Sequence, residues 1–377
     1  MKFRFISICC ALVVFTVSVG ARAVSLNDRK RFQKIERTIP ADPAVTISTC
    51  LMSGNINVRG WDKDEVMARS HAAEVELKRK DATSQSGRAT KLEVVVVDRA
   101  ERQSARDKCQ SFSDLELHVP RTASVRVQTR DGNISIADVG MAFAGTQNGD
   151  IDIARVSQAV EVGSVGGSIS VRDSTGRTSV TSIGGGIEVV NVRPSGPADV
   201  FEAISVSGDL MLDRISHTQL NAKTVTGNVH MTGPLAQRGR YGFKTMSGDV
   251  TLTLPGDSSF SLNAKIAQDG EIVTDFPLTL LPESSAPSTP APAETPAVVT
   301  PPQPPAPATA PASAPRASPD SSMVVVKVNP RIKKVEVEAP VAAPVYKLRR
   351  VNAVCGEGDA TISVASFSGT LHLQKNN

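Results

Sequence analysis

One pattern of polar and apolar positions recurs along this chain. A glycine is followed, usually, by Asp or Asn and then by two apolar residues separated by a single position. Side chains alternate along an extended chain, so each phrase predicts a short strand with one apolar and one polar face. From Gly132 to Gly248 the glycines are 17, 18, 18, 23, 19 and 21 residues apart. The nine phrases begin at Gly54, Gly132, Gly149, Gly167, Gly185, Gly208, Gly227, Gly248 and Gly369.

Self-similarity at such a period predicts stacked coils, each covering the apolar face of the next. We therefore expect an all-β fold: a single-stranded parallel β-helix-like solenoid with a strand-rich N-terminal cap and a disordered Pro-rich insertion. A sandwich of hairpins is the alternative, because Gly-Asp turns also join antiparallel strands. Outward Asp, Asn, Arg and Thr should form a polar surface. The predicted buried column is Ile151, Ile169, Ile187, Leu210, Val229 and Val250.

Changes in composition divide the chain. A basic start, an apolar run and Ala21-Arg22-Ala23 predict a cleavable signal peptide. Residues 282–320 hold 13 of the 24 prolines and cannot bury a core, which indicates disorder. The predicted segments are 1–23 signal peptide, 24–120 N-terminal strand-rich cap, 121–281 solenoid repeats, 282–322 disordered Pro/Ala-rich insertion, and 323–377 C-terminal strands and last coil.

Net charge and cysteine content limit the classes of binding partner and the number of disulfides. The net charge of +4 falls to +1 when Lys2, Arg4 and Arg22 leave with the signal peptide, so nothing favours nucleic acid. Three cysteines remain beyond residue 23, which allows at most one internal disulfide. Cys50 and Cys109 are the more favoured pair, which would leave Cys355 free; three buried, unpaired thiols are the alternative.

A search for chemistry finds no catalytic, cofactor-binding or metal-binding set. The histidines are dispersed and are expected at the surface, as His71, His118, His217, His230 and His372. Asp150, Asp209 and Asp249 share one repeat position and could form a catalytic column of carboxylates. A turn role is favoured, because it also accounts for the residues at the other equivalent positions. Those residues are Asn133, Ser168, Gly186 and Asn228.

The opening phrase GNINVRGWDKDEV, the glycine series and the closing GEGDATISVASFSGTLHL together resemble the bacterial putative-adhesin domain family of unknown function. The resemblance covers roughly 40–281 and 341–377, and its motifs are repeat motifs. It implies a β-solenoid in the cell envelope or on the cell surface, with no catalytic residues to transfer. The Pro-rich insertion departs from the family pattern.

Export, repeats and the lack of a convergent site together predict a non-catalytic envelope or cell-surface protein. It would be an adhesin or scaffold in the periplasm, on the outer-membrane surface or outside the cell, with no cofactor. Envelope polysaccharide and surface proteins are the partner classes that fit. Two alternatives remain open: a polysaccharide-active β-helix enzyme, and a scaffold that self-assembles through its solenoid ends.

Overall fold

The computed structural model describes residues 35–71, 73–81, 87–97, 109, 111–267, 270–281 and 349–376. These residues form 26 strands and contain no helix, so the predicted all-β class is confirmed. The predicted signal peptide 1–23 and the predicted insertion 282–322 lie outside the described residues.

The strands are short, as a narrow coil requires. The first thirteen, β1 to β13, are Ile35–Ser53, Ile56–Trp61, Glu65–Ser70, Glu74–Arg79, Ala89–Val97, Leu115–Pro120, Ser124–Asp131, Ile134–Ala137, Met141–Asn148, Ile151–Ala154, Ala159–Ser164, Ile169–Arg172 and Arg177–Ser182. The next thirteen, β14 to β26, are Ile187–Val192, Phe201–Ser205, Leu210–Ile215, Gln219–Lys223, Val229–Thr232, Arg240–Ser247, Val250–Pro255, Phe260–Ile266, Ile272–Thr274, Thr279–Leu280, Arg349–Cys355, Ala360–Ser368 and Leu371–Asn376.

The strands form two sheets, which we call A and B. Each regular coil contributes one strand to sheet B and its next strand to sheet A, and the strands of neighbouring coils pair in parallel. The first six residues of β1 pair in sheet A and the rest in sheet B, so β1 joins the two. Sheet A runs in the order β1, β3, β6, β2, β8, β10, β12, β14, β16, β18, β20, β26, β22. Sheet B runs in the order β4, β5, β1, β7, β9, β11, β13, β15, β17, β19, β25, β21, β24, β23.

Unbroken register stacks identical repeat positions into columns between the two sheets. The predicted column from Ile151 to Val250 is confirmed, with successive members paired and each at most 1% exposed. Along each strand, the residues that alternate with the inward-facing ones point outward, as Glu188 does. The core is therefore a set of parallel aliphatic columns, and inward-facing aromatic rings such as Phe201 and Phe243 enter it at few coils.

The coils do not follow one another in chain order at the C-terminal end. The chain leaves β20 at Pro255 and re-enters sheet B as β21, two positions beyond β19. The C-terminal segment β25–β26 fills the space between, with β25 paired to both β19 and β21 in parallel. The segment predicted as the last coil is therefore the last but one, and it is covered on both sides.

A similar exchange occurs at the N-terminal end. The coil formed by β1 and β2 stacks on β7 and β8, while β5 and β6, which come later in the chain, lie outside it. Antiparallel strands then close both ends: β3 and β4 at this end, β24 and β23 at the other. The outermost strands are short or charged, as in EVELKR of β4, which makes them poor templates for end-to-end pairing.

The repeat glycine is required by the close approach of successive coils. Gly149 has φ 152°, and a Cβ on it would lie 2.1 Å from the carbonyl oxygen of Gly132, the equivalent glycine one coil earlier. The same contact recurs between Gly185 and Gly167, at 2.2 Å. No side chain fits there, so the glycine column fixes the register of the stack.

The cysteines follow the favoured pairing. Cys50 and Cys109 form a disulfide that ties β1 to the segment preceding β6. Cys355, at the end of β24, is free and buried. Burial raises the pKa of the Cys355 thiol, which keeps it protonated and unreactive at neutral pH.

One histidine departs from expectation. His217 is fully buried, so the prediction that it lies at the surface is wrong. Its Nε2 lies 2.9 Å from the carbonyl oxygen of Gly176 and therefore carries the proton, while Nδ1 has no partner among the described residues. Burial lowers its pKa, while the hydrogen bond to Gly176 and the charge of Asp199 act in the opposite direction. The imidazole fills a core position beside the Phe201 ring, which a sequence search for surface or metal-binding histidines does not detect.

We expect Ile187→Ala to lower the free energy of unfolding by about 2–5 kcal/mol, because it leaves a cavity in a closed column. Glu188→Ala is the matched control: its side chain is exposed, and its ion pair with Arg172 is a surface pair at 3.8 Å. It should change stability by about 0.5 kcal/mol or less. Chemical denaturation of both variants measures the difference, and equal losses would refute the assigned facing.

We also expect a pH effect from His217. Its folded-state pKa is depressed, so the unfolded chain takes up the proton more readily than the folded chain does. The free energy of unfolding should therefore fall as pH drops below about 6.5, the unperturbed value. His217→Gln should flatten this dependence between pH 7.5 and 5, measured by thermal unfolding, whereas His230→Gln, at an exposed position, should not. The same slope in both variants would contradict the assignment.

Candidate binding surfaces

The Asp and Asn residues that follow the repeat glycines hold one coil to the next. Oδ1 of Asp150 accepts a hydrogen bond from the backbone N–H of Ser168 at 2.8 Å. Oδ1 of Asp209 accepts from Asn228 N–H, and Oδ1 of Asp249 from Thr370 N–H, both at 2.7 Å. Each of these three carboxylates therefore caps a backbone donor in the neighbouring coil, which gives it a structural task at the turn.

The asparagines of the same column make the same contact. Oδ1 of Asn133 accepts from the backbone N–H of Asp150 at 2.8 Å, and Oδ1 of Asn228 from Asp249 N–H at 2.9 Å. Gly186 has no side chain and interrupts the line. The column predicted from the sequence is real, and its members serve as turn residues whether or not they carry a charge.

The outer face of sheet A is polar and carries a shallow depression of about 600 Å³. Four carboxylates line it: Asp150, Asp152, Glu188 and Asp209. Two of them, Asp150 and Asp209, are the backbone caps described above. Among the described residues there is no group of three or more side chains that could hold a metal ion.

The outer face of sheet B is hollowed near its N-terminal end. Gly145 and Gly163 face outward on neighbouring strands, and the guanidinium of Arg126 lies 4.4 Å from the centre of the Phe143 ring beside them. The missing side chains leave a depression of about 280 Å³. It has the open, mixed polar and apolar character of a surface for an extended ligand rather than that of an enclosed catalytic pocket.

The turn from sheet B to sheet A is apolar, against the prediction that outward positions are polar. Two residues before the repeat glycine, five consecutive coils expose an aliphatic side chain or methionine. We call this set the apolar ridge. Its members are Val165, Ile183, Val206, Val225 and Met246. Phe367, 43% exposed, occupies the same repeat position in the next coil of the stack and continues the line. A count of residues at this one repeat position would have shown it in the sequence.

The opposite corner, six residues after the glycine, carries a second feature that the repeat phrase does not show. Asp138 and Arg155 adopt positive φ there, at 61° and 53°, as do their counterparts in the next coils. Arg155 donates to both carboxylate oxygens of Asp138, at 2.7 and 2.8 Å. The Arg155 guanidinium holds the pKa of Asp138 below its usual range. Asp and Asn tolerate this conformation, which is the signal that could have located the corner.

No helix within the described residues is long and apolar enough to cross a membrane. No curated protein matches the chain.

Solved structures of similar proteins share little sequence with this chain. A putative cell adhesion protein from Clostridium sporogenes is 9% identical, covers 91% of this chain and 100% of its own, and has a TM-score of 0.22. A putative adhesin from Parabacteroides merdae is 10% identical over 59% of this chain and 89% of its own, with a TM-score of 0.36. A putative lipid binding protein from Parabacteroides distasonis is 11% identical with the same coverage and a TM-score of 0.32. Scores this low do not establish a shared function.

Residues 108–285 match the family model described as Toastrack, DUF4097. The match spans the regular coils from β6 to β23, and the coils on either side of it in space continue the same ladder. The expected resemblance to the putative-adhesin domain family of unknown function is confirmed.

Proposed function

We propose that this protein is a non-catalytic, exported envelope or cell-surface protein that binds or scaffolds other envelope components through the polar outer faces of its solenoid. One observation carries the proposal. The three carboxylates best placed to act together, Asp150, Asp209 and Asp249, each accept a backbone hydrogen bond from the next coil. A carboxylate held in this way stabilises the turn. The main argument for a catalytic function, the column of three carboxylates, therefore loses its support.

The outer face of sheet A suits an extended, repetitive ligand. Asp152, Ser170 and Glu188 occupy the same position in successive coils, and Met211 and then His230 follow at that position in the next two coils. Parallel pairing spaces neighbouring members by ~4.8 Å. Four of these five positions carry hydrogen-bonding side chains. Envelope polysaccharide and an extended segment of a surface protein are the partner classes that can use them.

A pull-down with isolated cell-wall material and a glycan array, read together with a sugar-release assay on the full chain, tests the proposal. We expect retention without release of sugar. Glu188→Gln should weaken retention severalfold, because it removes an exposed charge from the sheet A face. Arg177→Gln is the control, since Arg177 is exposed at the start of β13 in sheet B.

Asp209→Asn separates binding from catalysis. The amide keeps an oxygen that can accept the Asn228 N–H, so the coil contact is preserved while the carboxylate is lost. Release of reducing or unsaturated sugar by the unmodified chain, abolished by this substitution, would replace our proposal with a polysaccharide-active enzyme. Absence of both retention and release would also reject binding through the polar faces.

A further inference from the structure

The apolar ridge is not used by the proposed function. Its five members are between 43% and 58% exposed, although Val, Ile and Met are usually buried. They follow one another without interruption, from the coil of Val165 to the coil of Met246. Four steps of ~4.8 Å make an apolar line ~19 Å long. A contiguous exposed apolar strip of this kind marks an interaction site.

Backbone hydrogen bonds hold the ridge in regular geometry. The N–H of Ile183 donates to Ser164 one coil earlier at 3.1 Å, and the N–H of Met246 donates to Val225 at 3.3 Å. The ridge is thus presented by a rigid ladder, and binding to it would cost little conformational entropy.

Towards the coil of Met246, the two flanks of the ridge carry opposite charge. On the sheet B side, Lys223 and Lys244 are paired neighbours two residues before Val225 and Met246. On the sheet A side, Asp209 and Asp249 follow the glycines three residues after Val206 and Met246. Lys223 also reaches its own Glu202 at 3.3 Å, so Lys244 is the more available of the two lysines.

We propose that the apolar ridge pairs with the same ridge of a second copy of this chain, side by side and in register. A two-fold axis parallel to the solenoid axis places the sheet B flank of one copy against the sheet A flank of the other, so that Lys244 faces Asp249. An axis perpendicular to the solenoid would place the sheet B flanks of the two copies against each other, so that Lys244 would lose Asp249 as its partner. Charge complementarity therefore selects the in-register arrangement, which is self-complementary and closed.

The observations favour a second copy of the chain on the apolar ridge over an anionic membrane, and lateral pairing over end-to-end assembly. An anionic membrane would meet the carboxylates of one flank as well as the lysines of the other, and like charges oppose such binding. End-to-end assembly uses a different surface, and the solenoid ends carry strands of two, three and six residues that are poorly suited to it. Lateral pairing leaves the outer faces of sheets A and B open to ligand.

Sedimentation velocity of the full chain over a range of concentrations tests the pairing. We expect a reversible dimer whose dissociation constant rises at least tenfold in the double variant Ile183→Ser, Met246→Ser. Met211→Ser is the matched control, because Met211 is 54% exposed on the sheet A face, away from the ridge. Unchanged thermal unfolding in all variants confirms that the fold is intact, as expected for exposed positions.

Charge reversal tests the role of the flanks. Lys244→Glu should weaken the dimer at low salt, and Lys244→Arg should retain it. Arg177→Glu makes the same charge change at an exposed position distant from the ridge and should have no effect. Equal weakening by Lys244→Glu and Arg177→Glu would mean that net charge alone matters, and would overturn the proposed orientation.

Single cysteines determine the register. In-register pairing brings every ridge residue to its own counterpart, so Val165→Cys and Met246→Cys should each form disulfide-linked dimers under mild oxidation. An antiparallel arrangement can bring at most one point of the ridge to itself, so cross-linking of only one of these variants would refute the register. A monomer at every concentration would overturn the proposal, and ridge-dependent binding to phosphatidylglycerol vesicles by that monomer would assign the ridge to lipid instead.

Discussion

The in-register stacking of parallel coils is the constraint on which the rest of this structure depends. Each coil satisfies its backbone groups with the coil before and the coil after it, so a local misfit would be transmitted along the ladder. The glycine column sets the distance, because at Gly149 the equivalent carbonyl leaves no room for a Cβ. The Asp and Asn caps then fix the turn next to it. Aliphatic columns fill the narrow space that remains.

This constraint explains why both ends of the solenoid depart from chain order. A stack built strictly in sequence would end in a full-length parallel edge, which is open to pairing with other chains. Here the C-terminal coil lies between β20 and β22 in sheet A, and the later strand β6 lies outside β2 at the other end. Antiparallel strands finish both ends of sheet B and the N-terminal end of sheet A, and the three-residue strand β22 finishes the other end of sheet A. The polar faces and the apolar ridge, which run along the length of the stack, are therefore the surfaces left for function.

Local features of this fold could be predicted from the sequence, and nonlocal ones could not. The inward Ile187 and outward Glu188 follow from alternation alone, and the turn role of Asp209 follows from its place beside glycine. The position of the C-terminal coil depends on pairing between β19 and β25, more than a hundred residues apart, which no local pattern encodes. His217 shows the same limit, since its burial is set by Gly176 and Phe201 in other coils.

The outer surfaces also include features that the sequence predicts and features that depend on the stacking of the coils. The repeat phrase drew attention to the residues after each glycine, where the carboxylates are structural. The residues two positions before the glycine, such as Ile183 and Met246, form the exposed apolar line. Its significance emerges only when the register places five coils in one row with lysines on one flank and carboxylates on the other.

The order of the coils is tested most directly by amide hydrogen exchange of the full chain, followed by mass spectrometry. Because the C-terminal coil is inserted within the stack, β25 and β26 each have a paired strand on both sides. Peptides from 360–376 should therefore be protected from exchange as strongly as those from 240–255. Peptides from 272–280, at the end of the stack, should exchange much faster. Exchange of 360–376 at the rate of 272–280 would place this coil at the end and contradict the architecture.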